Sequence, residues 1–243
     1  MSKDLLLARA RGLWEDLAGV PVPFPPTGGV RVGVSPRSGL CPVGWVGVVA
    51  LGGSAIVTAP SERDAATVRD ALKGLTVEAV VDAASVGGVL PVAEVLGPAA
   101  LSYVSEEGFR PTAGPAAVER LPGRHPALRG LERAAGREDT AEASLDEMTS
   151  PAFVVREGGE VVAAAGYALW PHRTAHISVL TAPDVRGRGL ARATGSAAVA
   201  HALAAGLLPQ WRARPPASRR VAAAMGFEEL GAQLSIRIAS LSR

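Results

Sequence analysis

The sequence predicts a mixed α/β (α+β) protein in which a strongly twisted sheet is flanked by helices. Three observations predict it. Short aliphatic runs of strand character alternate with segments whose apolar residues recur at helical spacing. Glycine pairs at 52–53 and 158–159 sit between apolar runs, where hairpin turns belong. Beyond residue 115 the pattern settles into strand, two helices, three strands, helix, strand, helix and terminal β structure. With 243 residues, 48% of them apolar, the chain can bury one large core or two small ones. The breaks in pattern divide it into an N-terminal α+β domain, 1–115, and a C-terminal domain, 116–243.

Residues 3–18 form an amphipathic helix with Leu6, Leu13, Trp14 and Leu17 on or near one face, stopped by PVPFPPTGG at 21–29. Strands follow at 30–34, 44–51 and 54–59. Pro60 and Ser61 open a helix in which Asp64 completes a start resembling a capping box, and Ala66, Val68 and Leu72 lie along its body. Residues 76–82, a broken helix around 89–96 and LSYV at 101–104 complete this half, in which no catalytic cluster stands out. In the C-terminal half, 116–121 suits a strand, 126–134 and 140–148 helices, 151–170 a hairpin and 175–181 a strand. A helix then runs to about 205, followed by strand 207–213, helix 217–226 and β structure at 227–239.

Composition removes several function classes. The net charge is +2, and 23 arginines against two lysines are spread along the chain, which is not the footprint of a nucleic-acid surface. No window has the uninterrupted apolar length of a membrane span, and acids sit among the leucines of MSKDLLLARARGLWEDL, so neither membrane nor export signal is expected and the location is read as cytoplasmic. The single cysteine, Cys41, excludes an internal disulfide and a multi-thiolate metal site. His125, His172, His176 and His201 lack ligand spacing, so no metal is expected.

The most informative stretch is VRGRGLARATG at 185–195. Gly187 and Gly189 remove side chains where a turn opens a helix, and the first amides of a helix have no partner within it and carry the positive end of its dipole. With Arg186, Arg188 and Arg192 nearby, the junction is a seat for phosphate. A nucleoside-triphosphate loop needs a lysine that is absent. A dinucleotide fingerprint needs Gly or Ala where Arg192 stands, and an acidic residue about 20 positions on.

A strand, a short proline-containing loop and Arg186-x-x-Gly189-x-Ala191 at a helix start instead resemble the [RQ]xxGx[GA] coenzyme A signature of the GNAT superfamily of N-acetyltransferases. The element order from 116 to 239 is similar to the GNAT core, and MGFEELG at 225–231 resembles the ending of that family's last helix. The resemblance implies acetyl-CoA as co-substrate. Its pyrophosphate would lie on the amides of Gly187, Arg188, Gly189, Leu190, Ala191 and Arg192. Its pantetheine would run beside the strand at 175–181, which in the family splays from the next strand. Val179, Leu180 and Thr181 would line that slot, one of their N–H groups serving the oxyanion, and Ser218 either touches the cofactor or caps its helix. The N-terminal half is open between a degenerate second copy of the same architecture and an unrelated cap.

The implied reaction is direct transfer of an acetyl group from the thioester to an amine of a small molecule or peptide. His176 is the first candidate for general base, with Glu142, Asp146 and Glu147 behind it, and a core role for His176 stands as the alternative. Tyr167, Trp170 and Trp211 are read as core filling, with the shaping of an acceptor pocket as the alternative. Two positions depart from the family pattern: Pro215 replaces a frequent asparagine and Ala222 a frequent tyrosine that protonates the leaving thiolate. These departures motivate a rival reading, a non-catalytic acyl-CoA sensor. Cys41 lies outside the GNAT-like half, which disfavours an acyl-enzyme route.

Overall fold

In a computed structural model of the chain, residues 2–112 and 117–239 are described. The helices are α1 (Lys3–Leu17), α2 (Glu62–Leu72), α3 (Ala83–Gly87), α4 (Leu128–Ala135), α5 (Arg137–Ala143), α6 (Leu190–Ala204) and α7 (Pro216–Ala224). The strands are β1 (Gly29–Val34), β2 (Val46–Leu51), β3 (Ser54–Ala59), β4 (Val92–Tyr103), β5 (Glu119–Leu121), β6 (Ala152–Glu157), β7 (Glu160–Trp170), β8 (Thr174–Thr181), β9 (Leu208–Ala213) and β10 (Glu228–Ile238). They make a mixed α/β fold, as the periodicity predicts. Among the described residues no helix is long and apolar enough to cross a membrane.

Contacts group the described chain into two compact units. One comprises residues 2–101 with the chain from Glu229 onward, the other residues 102–228. In the first, the strand order is β1-β3-β2-β10-β4. The hairpin β2–β3 turns at Gly52–Gly53, and both strands are buried at every position. β10 pairs antiparallel with β2 from Gly231↔Leu51 to Ile236↔Val46. Val48, Val57, Val68, Leu72 and Leu234 meet in a single core beneath α2. The sequence-based boundary between Pro115 and Ala116 lies outside the described residues, and the observed grouping differs from it at both ends. Residues 102–112 go with the second unit, and β10 goes with the first because its backbone bonds are made to β2. The stretch around 89–96 is a second departure: from Val92 it belongs to β4, one extended strand, where the sequence suggests a broken helix.

In the second unit the order is β9-β8-β7-β6-β5. β6 and β7 form the hairpin at Gly158–Gly159, and β8 lies antiparallel to β7 along its whole length. Side chains alternate between two apolar layers. Ile177 and Val179 face the α6 side with Val199, Ala202 and Trp211, while Leu180 packs with Leu128, Leu131 and Met148 below α4. The helix read at 140–148 is α5 followed by a 3-10 turn at Leu145–Glu147, the break falling at Ser144, whose φ is 46°.

Candidate functional site

Strands β8 and β9 run parallel and pair at Thr174↔Leu208, Ala175↔Pro209 and His176↔Gln210, and there the pairing stops although both strands continue. The parting opens a cavity of about 500 Å³, bounded by β8, the loop before α6, β9, α5 and α7. Backbone parity decides what faces it. The N–H of Ala182 donates to Val162 O, and Thr181 pairs with Ala163, so even-numbered residues of β8 turn their backbone groups toward β7. Odd-numbered residues turn theirs toward β9, as the bond from Leu208 N–H to Arg173 O requires. Beyond His176, Val179 and Thr181 therefore present backbone groups to the gap. Leu180 lines the cavity too, but its amide belongs to the β7 ladder, which removes it from the candidate oxyanion donors.

The loop at the mouth of α6 is built as its residue types demand. A 3-10 turn at Pro183–Val185 ends at Arg186, Gly187 and Gly189 take φ of 78° and 81°, and Gly189 stands at the N-cap without a side-chain cap. Left-handed backbone of this kind favours glycine. A Cβ at either position would meet nothing within 4 Å, so the space over them is open. Among the described residues none accepts from the N–H groups of Gly187, Arg188, Gly189, Leu190 or Ala191, whereas those of Arg192 and Ala193 bond back to Gly189 O. Unpartnered amides at a helix N-terminus, an open cradle and nearby arginines fit a diphosphate.

The arginines differ from one another. Arg186 and Arg192 line the cavity; Arg186 donates to Asp139 Oδ2 (2.5 Å) and Thr181 O (3.3 Å), Arg192 to Thr112 Oγ1 (3.2 Å). Arg188 is outside the lining: its guanidinium donates to both oxygens of Glu157, on the hairpin strand beside it. Of the three arginines read as part of the phosphate seat, Arg188 thus turns its guanidinium to Glu157 instead of the cavity. Ser218 lines the cavity and its Oγ accepts from Trp211 Nε1 at 2.9 Å.

On the α5 side of the sheet, charge and chemistry converge. The Nδ1 of His176 lies 2.5 Å from Gln210 Oε1, and its ring stacks on Trp170 with centroids 4.1 Å apart and planes 14° apart. Burial, reinforced by the Arg212 guanidinium, pushes the His176 imidazole down to about 4, so it is neutral at physiological pH. Glu142 also lines the cavity and accepts from Arg214 Nε and Nη2. Asp146 and Glu147 lie in the turn after α5, outside the lining. Tyr167 is a core residue, its hydroxyl 3.0 Å from His201 Nδ1, and Ala222 is buried with no proton to give. Among the described residues no group of three metal-ligating side chains lies together.

Sequence reasoning missed Asp139, Gln210 and Arg212. Asp139 is distant in sequence from its partner Arg186, and nothing local announces the pairing. The other two had a signal in Gln210-x-Arg212-x-Arg214, polar residues at strand period in an otherwise apolar segment, which places them on one face with His176.

The sequence profile of a family described as GNAT acetyltransferase matches residues 149–232, from the end of the turn before β6 into β10. No curated protein matches. Solved structures that resemble the chain include a GNAT-family protein from Novosphingobium aromaticivorans DSM 12444 (22% identity, TM-score 0.46, covering 60% of this chain and 65% of that one). Others are an acetyltransferase of the GNAT family from Colwellia psychrerythraea (14%, 0.49, 61% and 59%) and a GCN5-related N-acetyltransferase-like protein from Streptococcus suis 89/1591 (17%, 0.47, 79% and 83%). The chain thus spans less than two thirds of the length of the first two.

Proposed function

We propose, on the premise that the C-terminal half of the chain belongs to the GNAT superfamily, that the protein is an acetyl-CoA-dependent N-acyltransferase acting directly on an amine. The observation that carries this reading is the cavity where β8 and β9 part, with unpartnered amides at one end and His176 at the other. The amides of Gly187 to Ala191, with Arg186 and Arg192, would hold the pyrophosphate, and the backbone of Val179 and Thr181 would pair with the pantetheine as an added strand edge does. When bound, acetyl-CoA supplies the thioester: the amine lone pair forms the C–N bond, the C–S bond breaks and its electron pair leaves on sulfur. The N–H groups of Val179 and Thr181 are both unspent on β7, and one of them would donate to the carbonyl oxygen.

His176 accepts the proton that the nitrogen sheds and passes it to solvent. A base of such low affinity works with an acceptor that arrives as the free amine, and a thiolate whose conjugate acid has a pKa of about 8.5 leaves without the acid that Ala222 lacks. Arg212, Arg214 and Glu142 give the acceptor side mixed charge, suited to a small molecule or a peptide amine.

Incubating the protein with acetyl-CoA and a broad panel of amines, while recording free thiol, tests the proposal; acceptor-dependent release is expected. Tight coenzyme binding with no release across the panel would instead establish the sensor, the reading that Ala222 and the weakly basic His176 favour.

A further inference from the structure

We propose that Gln210 is a positioning residue: its side-chain carbonyl holds His176 as the neutral tautomer protonated at Nδ1, leaving the lone pair on Nε2 as the proton acceptor. The inference rests on reading His176 as the base.

Three observations lead to it. First, a carbonyl oxygen only accepts, so the 2.5 Å contact between Gln210 Oε1 and His176 Nδ1 requires the ring to donate from Nδ1. In a neutral imidazole this leaves Nε2 bare. Second, the two residues form the last pair of the β8–β9 ladder, so the bond joins the strands at the point where the cavity begins. With the Trp170 face fixing the ring plane, the imidazole is restrained both in tilt and in rotation.

Third, packing does not account for a glutamine here. Gln210 is 0% exposed, and its Nε2 is buried with no partner among the described residues. A leucine or methionine would fill similar volume without stranding a donor, and a buried unmade hydrogen bond opposes folding. The carbonyl half of the amide is the half in use. A carboxylate at 210 would attract a proton onto the ring, whereas the amide orients the ring and leaves it uncharged. The charged groups sharing that side act around it: Arg212 from β9 and Arg214 just beyond it, Asp139 and Glu142 from α5, and Glu147 from the following turn. Arg212 opposes protonation most directly.

Nitrogen-detected NMR of histidine-labelled protein, assigned against His176→Phe, reads the ring without any acceptor. The expected wild-type signature is a single Nδ1–H tautomer. Gln210→Leu should lose that preference and reduce thiol release from acetyl-CoA, with amine or with water as acceptor, by at least about tenfold. Gln210→Glu, which keeps the length of the side chain and serves if the leucine variant does not fold, should raise the His176 midpoint by a unit or more and move the acid limb of kcat/KM with it. An Nε2–H tautomer in the wild type overturns the proposal, as does a Gln210→Glu profile that coincides with wild type. If His176→Phe abolishes release while Gln210→Leu retains it, the positioning role alone fails. Undiminished release by His176→Phe removes the base and, with it, the role assigned to Gln210.

Discussion

Each unit contains a parallel strand pair and a helix that starts where one strand of the pair ends, and the two are finished differently. β1 and β3 stay paired through six positions, from Gly29↔Ser54 to Val34↔Ala59, and α2 then starts under Ser61, whose hydroxyl accepts from Asp64 N–H and donates to its carboxylate. β8 and β9 pair at three positions and separate, and α6 starts under Gly189 with no side chain over its amides. A parallel pair and the helix beside it thus yield a closed structural joint in one unit and an open seat in the other. The helix comes after the pair in the first and is the crossover between its strands in the second. What makes the site is withheld bonding: ladder partners missing from β8, and a cap missing from α6. The first unit spends both on itself.

The sharpest way to break this contrast is to close the open end. Gly189→Val puts a branched side chain at a φ of 81° and into the open space where the proposed pyrophosphate would sit. Coenzyme affinity by calorimetry should fall at least about a hundredfold, and because left-handed backbone resists β-branched residues, unfolding free energy should also fall by roughly 1–3 kcal/mol.

A second prediction concerns His176. Its value of about 4 in the folded protein lies below the unfolded value near 6.5, so the fold favours the neutral ring. The contribution is complete above pH 6.5 and is lost as pH falls toward 4. Denaturation at pH 7, 5 and 4 should show up to about 3 kcal/mol of acid destabilisation in excess of that in His176→Phe; parallel curves for the two proteins would refute it. The smallest effect belongs to the closed joint. Ser61→Ala should cost about 1 kcal/mol and leave coenzyme affinity unchanged.

Local chemistry was legible where local chemistry decides. The Gly158–Gly159 hairpin, the Ser61 cap and the Arg186-x-x-Gly189-x-Ala191 loop all stand where glycine, serine and spacing put them. Reading failed where a partner far along the chain decides. Residues 89–96 read as a broken helix, yet Val92–Tyr103 is one extended strand beside β10. Nothing within β10 names β2 as its mate. At the site, Arg188 reads like its neighbours until Glu157 is seen beside it, and Gln210 acquires meaning only through the register that sets it opposite His176.

The marriage of β2 to β10 also imposes a timetable on synthesis. Val46–Leu51 is apolar apart from one glycine and buried throughout, yet the strand that covers one of its edges is made from residues 231–236. A nascent chain emerging from the ribosome must carry that greasy edge bare while the entire second unit is translated. A product stopped after α7 would keep it bare for good, inviting strand-to-strand association between copies.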